Sequence, residues 1–175
     1  LDSFALLNNI NSKICIEGIC LDDRIGNYYN NPSFGFGGSC LPKDSKSLTQ
    51  AMRNFPHSLI SSIGGSNDMR KQTIVNEIIK HNCCTIGIYR LTFKKNADNI
   101  NNSASLDICD MLLEMGKRVI IYEPLIDTEI FHGCSIINNF QCFIEKSDLV
   151  LANRFDNSLS GINKKVFTRD IYNKN

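Results

Sequence analysis

Cys40 lies in the stretch NNPSFGFGGSCLPKD, Asn30 to Asp44, with glycines before it and charges after it. Gly35, Gly37 and Gly38 remove side chains where backbone must bend or approach a ligand closely. Pro42 suits the first turn of a helix, where its missing N–H costs nothing. A helix starting there places Cys40 just ahead of its positive end with Lys43 close by, and both favour thiolate over thiol. That is the pattern of a nucleophilic cysteine. N–H groups exposed by the glycines would also suit the oxyanion of a tetrahedral intermediate.

Three chemistries compete for such a loop. A papain-like nucleophile needs a histidine base, but His57, His81 and His132 fall in a loop or at helix ends, where surface positions are expected. A phosphate-binding loop needs Walker spacing with Lys followed by Ser or Thr, which FGFGGSCLPKD lacks. A thiolate beside a lysine and an aspartate suits covalent capture of an aldehyde instead. The thiohemiacetal gives up hydride to become a thioester, which water then cleaves.

The other cysteines read differently. Cys15 and Cys20 are separated by four residues and Cys83 and Cys84 are adjacent, so neither pair has the two-residue gap of a zinc knuckle or redox motif, and no metal is expected. Cys109 in LDICDMLLEM and Cys142 in FQCFIE read as small buried hydrophobes. Eight cysteines without a visible secretory signal fit a reducing cytosol better than a disulfide framework. The 175 residues are 42% hydrophobic and 21% charged, with no apolar run of membrane length. A net charge of +1, spread along the chain, gives no electrostatic footprint for nucleic acid.

The elements that must position Cys40 fall into two regions. Residues 1 to about 13 read as the end of a helix already under way, as in a fragment, followed by a glycine-rich loop region with short helical pieces. Helices are predicted from Pro42 to about Asn54, about Pro56 to Ile63, and Asn67 to His81. From Thr85 the apolar runs TIGIYRL, RVIIYEP and DLVLAN alternate with helical stretches, and KVFTRDI offers a fourth strand. One intervening helix carries Ile108, Met111, Leu112 and Met115 on a face and ends at Gly116; the other spans about Asn139 to Lys146. This is α/β: a helical segment, then a Rossmann-like parallel sheet covered on both faces, with its ligand at the carboxyl ends of the strands. Arg90, Lys94 and Lys95 fall at or just past that edge, and no Gly-x-Gly-x-x-Gly follows the first strand.

NNPSFGFGGSCLPKD, IGIYRLTFKKNADN, VIIYEP and VFTRDI, in that order and spacing, resemble the C-terminal part of the UDP-glucose/GDP-mannose dehydrogenase family over essentially the whole chain. Relatives acting on UDP-N-acetylmannosamine have a shorter, histidine-bearing cysteine loop, and those acting on GDP-mannose differ at YRLTFK. The resemblance implies oxidation of UDP-glucose to UDP-glucuronate with two NAD, through an aldehyde and a cysteine thioester, in a cytoplasmic homodimer. It implies Cys40 as nucleophile, Asp44 orienting or activating water, and Lys43 reaching NAD. It implies substrate contacts from Tyr29, Asn30, Asn31, Pro32, Ser33, Gly37 and Lys94, with Arg24 donated to the partner's substrate. The implied division is 1–65, the end of the central helical dimerisation region with the cysteine loop, and 66–175, the UDP-binding α/β domain.

The family's NAD-binding Rossmann domain has no counterpart in these 175 residues, so the chain is expected to be inactive alone. Asn101 stands where relatives commonly carry an arginine that touches NAD, and asparagine supplies no charge. Two alternatives accompany the reading: a nucleotide-sugar dehydrogenase for another sugar, and a binding module that has lost catalysis.

Overall fold

The computed structural model describes residues 1–92, 100 and 102–173. The first region is helical, with α1 (Asp2–Leu7), α2 (Ser12–Cys20), α3 (Cys40–Ala51), α4 (Ser58–Ser61) and α5 (Ile63–Ile79). The expected helix end through residue 13 is broken in two. Asn9 adopts φ 55°, a conformation asparagine tolerates better than most residues. Asn11 then caps α2, its side-chain oxygen accepting from the Lys13 and Ile14 N–H groups. The helix expected from Pro42 begins at Cys40, which is therefore its first residue instead of the residue ahead of it. The helix expected from Asn67 begins at Ile63, and it runs unbroken through the predicted division at 65/66.

The second region alternates strands and helices: β1 (Thr85–Tyr89), α6 (Ala104–Glu114), β2 (Arg118–Tyr122), β3 (Ile130–Phe131), β4 (Cys134–Ile136), α7 (Phe140–Lys146), β5 (Leu149–Leu151) and β6 (Val166–Phe167). A 3-10 segment, Asn157–Lys165, precedes β6. The sheet has the order β3-β4-β2-β1-β5-β6. All pairings are parallel except β3 with β4, so the expected parallel sheet is present and carries one antiparallel strand at its edge. β3 and β4 escaped the sequence reading because two and three residues around His132 and Gly133 carry no apolar run.

Side-chain alternation divides the core. Ile86, Ile88, Val119, Ile121, Leu149 and Leu151 face α5 and α6, packing with Ile74, Val75, Ile78, Ile108 and Leu112. Tyr89, Ile120 and Val150 face the other side, packing with Phe143 of α7 and Leu159 of the 3-10 segment. Each fully buried Ile, Leu or Phe contributes roughly 1.5–3 kcal/mol. The sheet is thus covered on both faces, as an α/β fold requires.

The chain moves outward from β1 through β2 to β4, then crosses back to β5 on the other side of β1. That reversal opens a crevice at the carboxyl ends of β1 and β5, where open α/β sheets bind ligands. A polar tie joins the two regions at this edge. Asp2 of α1 is buried and receives Arg70 of α5 and Arg169, just past β6, while Arg169 also donates to Ser12.

Candidate functional site

The loop from Asn30 to Gly38 is stretched between α5 and the carboxyl edge of the sheet, and side chains from both hold its backbone. From the sheet, Asn153, two residues past β5, accepts the Phe34 N–H at 2.8 Å. Arg154 Nη1 donates to the Pro32 carbonyl at 2.6 Å, and Asn31 Nδ2 donates to Asp170 Oδ1 at 2.8 Å. From α5, Arg70 donates to the Ser33 carbonyl through Nε at 3.1 Å and Nη2 at 2.8 Å. The Asn67 amide engages Phe36 twice, accepting its N–H at 2.9 Å and donating to its carbonyl at 2.8 Å. Phe34 is buried in the core beneath.

The glycines then bring this loop against the start of α6. A Cβ on Gly37 would stand 2.4 Å from the Asn102 carbonyl oxygen and 3.0 Å from the Ala104 nitrogen, so no larger residue fits without displacement. Gly38 adopts φ 82° and donates its N–H to the same Asn102 carbonyl at 2.7 Å. The chain next turns into α3, leaving Cys40 exposed in the first turn with its sulfur 3.7 Å from Ser39 Oγ. Lys43 Nζ lies 3.5 Å from Asp44 Oδ1, and both side chains are largely exposed. No histidine is hydrogen-bonded to Cys40 among the described residues; His57 bonds the Phe55 carbonyl and His132 faces Asp110.

Two clefts flank the loop. One, of about 890 Å³, is lined by Tyr29, Asn30, Asn31, Pro32 and Ser33 together with apolar side chains of α2 and α5. The other, of about 870 Å³, is lined by Gly37, Gly38, Ser39, Pro42, Lys43 and Lys46, residues on either side of Cys40 in the chain. Phe36 and Asn67 belong to both and form the wall between them. The structure therefore separates the residues expected to contact one substrate: Tyr29 to Ser33 on one side, Gly37 and Lys43 on the other. Arg24 lines neither, pairing instead with Asp22 on the surface. Lys94, Lys95 and Asn101 lie outside the described residues.

Deeper in the second cleft, Lys71 is buried between Asp68 and Asp107, 2.8 Å from each. Burial lowers its pKa, but the two carboxylates outweigh that and hold the ammonium above its ordinary value. At the sheet edge, Arg90 has φ 61° and a buried Nε with no hydrogen-bond partner among the described residues; Asn153 Nδ2 is in the same state. Buried donors are normally satisfied, so two such groups at the β1 and β5 termini mark a place that wants acceptors. Sequence reasoning missed Asn67, Arg70, Asn153, Arg154 and Asp170. The last three follow apolar runs at strand ends, so the carboxyl-edge rule already pointed at them.

A mostly parallel sheet whose switch point is overlain by a glycine-cysteine loop defines an α/β ligand-binding unit joined to a helical segment. Residues 1–69 match the central domain, and residues 87–174 the UDP-binding domain, of the UDP-glucose/GDP-mannose dehydrogenase family. The chain belongs to that family. It is 47% identical over 173 residues to a UDP-glucose 6-dehydrogenase of Campylobacter jejuni, covering 98% of this chain and 44% of that protein. To a UDP-glucose 6-dehydrogenase of Streptococcus pneumoniae it is 40% identical over 174 residues, covering 99% and 44%. The chain thus spans less than half the length of these relatives. The fold is also that of the GDP-mannose dehydrogenase of Pseudomonas aeruginosa solved as a ternary complex, with a TM-score of 0.72 at 22% identity over 95% of this chain and 44% of that one. The UDP-glucose dehydrogenase of Pyrobaculum islandicum gives a TM-score of 0.73 at 20% identity, covering 94% and 41%.

Proposed function

We propose that this chain supplies the thiol and the nucleotide-binding half of a UDP-glucose 6-dehydrogenase. The observation that carries the reading is the clamped loop: eight hydrogen bonds fix a path that runs along the carboxyl edge of the sheet and ends with an exposed cysteine at a helix start. Cys40 adds to the C6 aldehyde of the sugar as a thiohemiacetal. Once that carbon has given up a hydride and its hydroxyl a proton, the sulfur holds it as a thioester until water attacks the carbonyl carbon and the sulfur leaves. Asp44 takes a proton from that water or orients it. The Gly38 N–H is held by the Asn102 carbonyl, so it fixes the loop beside Cys40 and is not a donor for the developing oxyanion. Arg90 and Asn153, with their unmet donors, serve nucleotide acceptors at the strand ends, with Lys94 reaching the substrate. Tyr29, Asn30, Asn31, Pro32 and Ser33 wrap the sugar diphosphate, and Arg24 reaches the substrate of a second copy.

NAD, when bound, accepts a hydride in each of the two oxidations. The second cleft fits such a group: Gly38 leaves open space where a side chain would stand, and Lys43 and Lys46 are exposed cations suited to phosphate. The 1–65 and 66–175 regions, the cytoplasmic homodimer and the inactivity of this half without a cofactor domain belong to the same reading. Uridine is preferred to guanosine because the UDP-glucose dehydrogenase relatives are 47% and 40% identical, against 29% for a GDP-mannose 6-dehydrogenase of Pseudomonas aeruginosa.

Calorimetric titration tests it. UDP-glucose and UDP are expected to bind this chain while GDP-mannose does not, and mixing the chain with UDP-glucose and NAD is expected to yield no NADH. Binding of GDP-mannose in preference to UDP-glucose would overturn the substrate, and NADH formation would overturn the division of labour.

A further inference from the structure

Away from the cysteine loop, two more thiols meet. Cys109, on the buried face of α6, and Cys134, the first residue of β4, have their sulfurs 3.3 Å apart. Both are free, and both are shielded from solvent, at 0% and 1% exposure. A cysteine acting as a small hydrophobe has no need of a second sulfur at this separation. We infer that Cys109 and Cys134 form an oxidisable dithiol, a disulfide site that responds to low-molecular-weight disulfides and ties α6 to the edge hairpin.

The geometry asks for little movement. A disulfide bond is about 2.05 Å long, so the sulfurs must close by a little over 1 Å. The side that can move is β4, which pairs with β2 at only two positions, Ser135 and Ile136, and with the two-residue β3 outside it. Short edge strands with few ladder bonds open at low cost, and opening is also what admits an oxidant to a buried pair. The hydrogen bond between the thiols divides their roles. It holds Cys134 below the ordinary thiol value and, together with burial, pushes Cys109 up. Cys134, on the short strand that opens, is the sulfur an oxidant reaches first and so the attacking one.

The exchange balances with glutathione disulfide as the oxidant. The Cys134 thiolate attacks one sulfur of it, forming a mixed disulfide and expelling one glutathione thiolate. Cys109 then attacks Cys134 Sγ, its proton goes to solvent or the released thiolate, and the second glutathione leaves. Two protein thiols become one disulfide, and one glutathione disulfide becomes two glutathiones. The bridge stiffens α6, whose first turn holds Lys71 through Asp107 and whose approach holds Gly38 through Asn102.

The test is to equilibrate the chain with glutathione disulfide, alkylate remaining thiols under denaturing conditions, and map cysteines by tandem mass spectrometry. A cross-linked Cys109–Cys134 peptide two hydrogens lighter than its parts, lost on reduction, is expected, with a higher non-reducing Tm than the reduced chain. Recovery of both residues alkylated, or each carrying its own glutathione while Cys40 and Cys84 have reacted, would overturn it. Cys134→Ser is expected to abolish the Tm gain; if that variant does not fold, the peptide map of the unaltered chain decides alone.

Discussion

Asn67 does for the cysteine loop what a neighbouring strand does for a strand: it meets both the N–H and the carbonyl of one residue, Phe36. A net hydrogen bond is worth about 1 kcal/mol, so Asn67→Ala is expected to destabilise the chain by about 2 kcal/mol in urea unfolding. Asn67→Asp keeps the acceptor for the Phe36 N–H but, when ionised, turns an acceptor-only oxygen toward the Phe36 carbonyl, so its cost should fall at acid pH, where the protonated acid can donate. An Asn67→Asp variant as stable as the parent at neutral pH would show that the side chain acts by bulk alone. Cys40, Lys43 and Asp44 could be proposed from the sequence because they lie within five residues of one another. Asn67 and Asn153 were not, since their partners lie 31 and 119 residues away and nothing local announces the contact.

At the scale of elements, what could be read was periodic. The apolar runs that became β1, β2 and β5 stood out, as did the face of α6, because burial on both sides of a sheet leaves no room for polar interruption. β3 and β4 were missed because strands of two and three residues leave no period to read, and α2 was read only as the tail of one helix and short helical pieces. The fit of α6 against the loop yields a paired expectation. Gly37→Ala should cost roughly 1–3 kcal/mol, since its methyl meets backbone at Asn102 that cannot swing aside. Gly65→Ala, in the first turn of α5 with open space around it, should gain up to about 0.5 kcal/mol from helix propensity. Thermal unfolding of both variants checks the pair, and a loss at Gly65 as large as at Gly37 would contradict the packing described.

Across the whole molecule, Asp2 gathers α1, α5 and the segment after β6 into one junction. Burial raises its carboxyl, but hydrogen bonds from Arg169 and Ser12 and the charges of Arg70 and Arg169 outweigh this and hold it below the ordinary carboxylate value of 3.8. A depressed carboxyl lends stability above its unfolded pKa and loses it as pH falls through the folded one. Asp2→Asn is therefore expected to lower stability at neutral pH by about 3 kcal/mol, the scale for a buried charge left without its partner. The gap to the parent should narrow below about pH 4, the range set by that 3.8 reference. Unfolding by urea at neutral and acid pH measures it, and a gap that stays constant would mean the carboxylate charge is not what matters.

The wall made by Phe36 and Asn67 has two sides. Whatever occupies one cleft presses on a partition that is also the boundary of the other, so the two occupancies share a free energy. Linkage makes that sharing symmetrical: a molecule that tightens its neighbour's binding by some factor is itself held more tightly by the same factor.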